Sequence, residues 1–221
     1  MRELKYSEFL RLNKELGTNL KSNPYNITIL SNITVHQIME ILEYPLRTEG
    51  LNANVEIGGY DNIVQDSKKY QDSNTVIVFW ELSNIVDGLQ FKIELLNNDQ
   101  LDEILEKTKS EIDLVLKNFE KTSLVLINKF TSLSFSRFNI RKNKFEQLAG
   151  QLNQYLENRI PANIRLVELG KVIANIGLDN SLDLRYYYSS KALYTIDFFK
   201  AYAEYVKPYV MSANGKSKKA L

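Results

Sequence analysis

Four short apolar runs in this chain each break off into a polar or glycine-bearing turn. Ile27-Thr28-Ile29-Leu30 runs into Ser31-Asn32-Ile33-Thr34, and Ala53 to Ile57 runs into Gly58-Gly59-Tyr60-Asp61-Asn62. Thr75 to Trp80 runs into Glu81-Leu82-Ser83-Asn84, and Ser123 to Ile127 runs into Asn128-Lys129-Phe130-Thr131. Between them lie stretches with apolar residues at helical spacing, such as Ile38, Ile41, Leu42 and Leu46. Strands that alternate with helices build a mainly parallel sheet covered on both faces. Ile164 to Val167 supplies a fifth strand. The expected architecture is therefore a three-layer α/β/α sandwich around a five-stranded sheet. In such sheets the strand ends lie side by side, and ligands bind in the crevice outside them.

The connections follow local rules. Residues 3–16 read as a helix stopped by Gly17, and Thr18 to Asn26, with Pro24, as a linker into the first strand. Thr34-Val35-His36-Gln37 has the capping-box pattern and predicts a helix start at Thr34, with Gly50 as its end. The unit 27–57 then reads as βαβ with parallel strands. Further helices are expected near 62–70, 100–121, 143–158 and 195–211, with 129–140 as an aperiodic Ser- and Phe-rich loop. Tyr186, Tyr187 and Tyr188 are expected in a loop before the last helix. The organisation so read is a helical extension over 1–22, one α/β domain over 23–211, and a Lys/Ser/Gly-rich linker over 212–221.

Composition narrows the function classes. Twenty-eight basic and 27 acidic residues leave a net charge of +1, so no global field steers the chain to nucleic acid or to an anionic membrane. The absence of cysteine excludes disulfides, thiolate metal sites and a cysteine nucleophile. No apolar run approaches the roughly 20 residues of a membrane helix, and Met1 to Lys5 lacks a signal-peptide core. These features read as a cytoplasmic protein, with no metal or cofactor expected.

Several of these segments, in order, resemble the N-terminal region of FkbH-like proteins. They are Ile29 to Thr34, Leu46-Arg47-Thr48-Glu49-Gly50, Glu56 to Tyr60, Val78-Phe79-Trp80-Glu81-Leu82 and Asp183 to Tyr188. That family joins an SGNH-hydrolase-like α/β domain, a flavodoxin-like layout, to a haloacid-dehalogenase (HAD) domain of subfamily IIIC. Family members with both halves are linked to loading a glyceryl unit onto an acyl carrier protein. The resemblance covers about 27–219, and no Asp-x-Asp-x-Thr phosphoryl-acceptor motif of the HAD half occurs in this chain. It implies an accessory half, cut at the linker or encoded separately, whose partners are a HAD domain and an acyl carrier protein.

The resemblance also implies a site. An SGNH hydrolase has a serine after the first strand, an oxyanion hole from a serine amide, a glycine and an asparagine, and a base from Asp-x-x-His. Ser31 or Asn32 stands in the serine region, Gly59 matches the glycine, Asn84 (or Ser83) the asparagine, and Asp183 the aspartate. Three residues after Asp183 stands Tyr186, not histidine. The single histidine, His36, lies five residues after Ser31 and reads as a helix-face residue. Without that base, Ser31 would need Asp183 as a direct proton acceptor.

The residues leave alternatives open. Ser31 and Asn32 suit a strand-to-helix turn as well as an anion or acyl-oxygen site, and Gly58-Gly59 a positive-φ turn. Glu81 at a crevice needs a partner, for which Arg185 is a candidate; Arg185 could equally hold a substrate carboxylate or phosphate. Three functions follow. One is a binding module with a crevice of Ser31, Asn32, Gly59, Glu81, Asn84, Asp183 and Arg185. The second is an acyl or glyceryl transferase or esterase using Ser31 and Asp183. The third is a structural domain that docks through Tyr186–Tyr188.

Overall fold

The computed structural model describes residues 6–133 and 143–215. Its strands are β1 (Tyr25–Ser31), β2 (Ala53–Ile57), β3 (Thr75–Phe79), β4 (Leu124–Asn128) and β5 (Ile164–Val167). Its α-helices begin with α1 (Tyr6–Asn19), α2 (Ile38–Thr48), α3 (Ile63–Lys69), α4 (Leu89–Lys92) and α5 (Asn98–Asn118). They continue with α6 (Lys144–Glu157), α7 (Leu169–Ile176), α8 (Leu178–Ser181), α9 (Leu184–Ser190) and α10 (Ile196–Ala213). The strands pair in the order β2-β1-β3-β4-β5, and every pair is parallel, where the sequence reading allowed for a mixed sheet.

Side-chain alternation explains the three layers. Ile77 and Phe79 of β3 point into one core with Leu124 and Leu126 of β4, beneath α2, α7, α9 and α10. Val76 and Val78 point the other way with Val125 and Ile127, beneath α3, α5 and α6. Both faces of the central strands are thus dry, which is why these runs are continuously apolar. Each fully buried aliphatic side chain contributes roughly 1.5–3 kcal/mol.

Several local expectations change. Helix α1 does not stop at Gly17 but runs to Asn19. Glycine is needed there for approach: a Cβ on Gly17 would stand 2.9 Å from Arg47 Nη1. Arg47 is pinned by Ala53 O, by Asn13 and by a 2.9 Å ion pair with Glu43, and Phe9 of α1 is buried in the α2-side core. Nor does the Thr34 capping box form. Helix α2 begins at Ile38, while Thr34 Oγ1 donates to Ser190 O at 2.7 Å and Thr34 N to Lys191 O at 3.0 Å. A long-range bond thereby overrides a local pattern. Gly50 does terminate the helix, in the left-handed region at φ 80°. The three tyrosines lie within α9, not in a loop. Residues 1–5, most of the expected loop 129–140 and most of the linker 212–221 fall outside the described residues.

Candidate functional site

With β1 flanked by β2 on one side and β3 on the other, the strand order reverses at β1/β3. This is the topological switch point, where a ligand crevice is expected beyond the strand ends. Ser31 ends β1 there and is buried. Its hydroxyl donates to Ile33 O at 2.8 Å and accepts from Ile33 N at 3.1 Å, closing a tight local turn. Asn32 spans the switch point. Its side chain accepts from Glu81 N at 2.7 Å and donates to Glu81 O at 2.9 Å, clamping the end of β1 to the end of β3.

The other expected oxyanion groups are likewise engaged. Gly59 N donates to Asp66 Oδ2 at 2.5 Å, and Asn62 Nδ2 holds the other oxygen of that carboxylate at 2.9 Å. A Cβ on the neighbouring Gly58 would meet Leu30 at 2.6 Å and Asp66 at 2.7 Å, so the glycine pair fits the chain against α3. Asn84 Nδ2 donates to Asn32 O. Asp183 caps α9 through Arg185 N at 3.0 Å and pairs with the Arg185 guanidinium at 2.7 Å, and the Arg185 side chain is 89% exposed. Arg185, a candidate partner for Glu81, instead forms a local pair with Asp183. The Ser31 hydroxyl bonds to backbone and not to Asp183. Tyr186, in the place of the missing histidine, is exposed.

Glu81, 4% exposed, sits in a network of hydroxyls instead of an ion pair. Tyr194 Oη donates to Oε2 at 3.0 Å and Ser83 Oγ to Oε1 at 3.3 Å. Tyr187 Oη in turn donates to Ser83 Oγ at 2.9 Å. The carboxyl thus ties the end of β3 to α9 and to the start of α10. Burial pushes it up to about 7, against the opposing hydrogen bonds from Tyr194, Ser83 and Leu82. Burial and the nearby Glu81 raise Tyr194 well above the usual phenol range, and burial raises Tyr187 to about 12. Tyr202 Oη donates to Oδ1 of Asn128, at the end of β4, at 2.8 Å, while the buried Asn128 Nδ2 has no hydrogen-bond partner among the described residues.

The open space at the switch point lies beside this cluster, on the α3/α5 side. A cleft of about 240 Å³ is bounded by Asn32, Asp61, Gln65, Trp80, Lys107 and Glu111, among others. Asp61 N donates to Ser31 O at 3.0 Å, which holds Asp61 at φ 52° and aims the β2–α3 turn at the end of β1. Lys107 and Glu111 are successive-turn neighbours on α5, 3.9 Å apart. Burial raises both Asp61 and Glu111; at Glu111 the Lys107 charge opposes that rise and the Asp61 charge adds to it. Of the seven crevice residues named from sequence, only Asn32 lines this cleft. Lys107 and Glu111 were missed because spacing shows that they share a helix face, not that this part of α5 overhangs the strand ends. Asp61 was readable as part of a strand-end turn. Among the described residues no group of three or more His, Cys, Asp or Glu is placed to hold a metal, and no helix is long and apolar enough to cross a membrane.

No protein-family model matches the sequence, and no curated protein does. Solved structures match by fold. The chain is similar to the N-terminal part of BF1531 from Bacteroides fragilis, described as containing a phosphatase domain and complexed with Mg. That likeness has a TM-score of 0.76 at 14% identity and covers 98% of this chain and 58% of that one. The chain is also similar to SsfX3, a salicylyl-acyltransferase from a tetracycline biosynthetic pathway, with a TM-score of 0.51 at 12% identity, covering 88% of this chain and 56% of that one. It therefore spans somewhat over half the length of each. These likenesses show the fold alone, a parallel five-stranded α/β sandwich.

Proposed function

We propose that this chain is a non-hydrolytic, SGNH-like positioning domain. It holds a carrier protein, or the acyl or glyceryl unit that the carrier bears, for a HAD-type phosphatase partner in a biosynthetic pathway. One observation carries the reading. The three groups that an SGNH hydrolase would use on substrate are each consumed internally: the Ser31 hydroxyl by Ile33, the Gly59 amide by Asp66 and the Asn84 amide by Asn32. A nucleophile needs an adjacent base and free donors facing the developing charge. Here Asp183, the candidate base, is engaged by Arg185. The cleft beside Trp80 remains open, and binding is the role such a cleft serves. The fold neighbour that contains a phosphatase domain supports the partner assignment.

The test is a titration of the isotopically labelled chain with an acyl carrier protein and with a separately produced HAD domain, followed by amide NMR. Shifts confined to the strand-end crevice and its rim, with no turnover of acyl esters, are the expected result. Ser31-dependent acyl transfer to the carrier would replace this reading with the acyltransferase one.

A further inference from the structure

The amide of Asn128 is buried at the end of β4 and only half used. Tyr202 takes its Oδ1, and Nδ2 is left as a donor with no hydrogen-bond partner among the described residues. Unmet buried donors are the exception in folded proteins. Asn128 lines a narrow pocket between the ends of β3 and β4 together with Glu81, Tyr194 and Trp80. That pocket has no room for a water molecule, so solvent cannot serve as the partner of Nδ2. The Glu81 carboxyl is the strongest acceptor that shares it.

No cation competes for that carboxyl. Among the described residues no Lys, Arg or His lines the pocket. Lys129, next to Asn128, pairs with Glu157 at 2.7 Å and with Glu168, just before α7, at 2.5 Å. Asp197 and Lys200, in the first turns of α10, pair with each other at 3.5 Å. His36, beyond the end of β1, is exposed. Asp61, Lys107 and Glu111 line the open cleft, with Trp80 common to both spaces. Tyr194 donates to Glu81 directly, and Tyr187 of α9 only through Ser83. What Glu81 asks of these neighbours changes with its charge. Protonated, it carries an O–H and is a weak acceptor. Ionised, it is a strong acceptor with no cation, and each further donor stabilises it. Burial pushes it up to about 7, so both forms are populated near neutral pH.

We propose that Asn128 and Glu81 form a proton-operated latch between the ends of β4 and β3. When Glu81 gives its proton to solvent, the Asn128 amide turns Nδ2 to the carboxylate. When Glu81 takes a proton back, the contact opens to the arrangement described above. Asn128 carries the link on to Tyr202 of α10, and Trp80 carries it to the wall of the open cleft. The cleft wall is thereby firmer with Glu81 ionised, whatever the cleft binds.

The test follows the Glu81 Cδ and the Asn128 side-chain amide of the isotopically labelled chain by NMR from pH 5 to pH 9. The Asn128 amide protons are expected to move downfield with the midpoint of Glu81 Cδ, and to exchange more slowly with solvent above it. In Glu81→Gln both changes should vanish. Asn128→Leu is made in a Tyr202→Phe background, so that no buried hydroxyl is orphaned. Relative to Tyr202→Phe alone, it is expected to raise the Glu81 midpoint by about one pH unit, a tenfold weaker acid, because the ionised form has lost a donor. A merely structural Asn128 would lower stability and leave that midpoint in place. The latch is overturned if the Asn128 amide stays flat while Glu81 titrates, or if Glu81 does not titrate in this range. A step at Asn128 without slower exchange reports the Glu81 field alone and overturns it equally. The wild-type titration decides the matter even if the double variant does not fold.

Discussion

The side chain of Asn32 pairs edge to edge with the backbone of Glu81, accepting from its N–H at 2.7 Å and donating to its C=O at 2.9 Å. The pair continues the β1–β3 ladder by one side chain beyond the last strand residues, at the point where the chain would otherwise open into a crevice. Replacing Asn32 with alanine leaves a buried N–H and C=O without partners. The expected cost is roughly 2–4 kcal/mol, read as a lower midpoint in urea with an unchanged slope. A loss below half a kcal/mol would mean that water satisfies both groups.

Glu81 sets a pH dependence. Its carboxyl is raised from 4.5 in the unfolded chain to about 7 in the fold, so between those values the native state binds more protons than the unfolded one. Its contribution is therefore fully present below about pH 4.5, falls as pH rises through 7, and above that amounts to a penalty of about 3 kcal/mol. Urea unfolding at pH 5 and pH 8 should show the wild type losing stability across that interval and Glu81→Gln losing much less. Equal pH dependence in the two proteins would place the titrating group elsewhere.

The sheet was legible in the sequence because β3 and β4 carry the continuous apolar signature of strands buried on both faces, bounded by polar turns. Helix α9 was not, because Leu184-Arg185-Tyr186-Tyr187-Tyr188-Ser189-Ser190 has no apolar stripe; Tyr187 alone of its tyrosines turns into the core. The strand-end residues were found by position, yet their partners were not. Asn32 meets Glu81 across 49 positions and Tyr194 meets Glu81 across 113, separations that no spacing rule encodes. Arg185 was one candidate partner for Glu81, because charge pairing is the simplest rescue for a buried carboxylate, and holding a substrate anion was its other reading. The fold supplies hydroxyls instead.

Gly17 offers a test in the opposite sense from intuition. Glycine to alanine within a helix ordinarily stabilises by up to about 1 kcal/mol. Here the new methyl would sit 2.9 Å from Nη1 and 3.1 Å from Cζ of an Arg47 that is fixed by Glu43, Asn13 and Ala53. Gly17→Ala is expected to lower the melting temperature, with a loss of about 1 kcal/mol. A raised melting temperature would show that Arg47 swings aside freely.

The non-hydrolytic character of the strand-end serine is tested most directly by ester turnover. Wild type and Ser31→Ala are compared on a small activated ester, with a fluorophosphonate probe to report any activated serine. The expected result is identical background turnover and no label on Ser31, with Ser31→Ala costing only about 1 kcal/mol of stability from its lost turn hydrogen bonds. Turnover that disappears in Ser31→Ala, or covalent labelling of Ser31 itself, would contradict the positioning role and make this domain an enzyme.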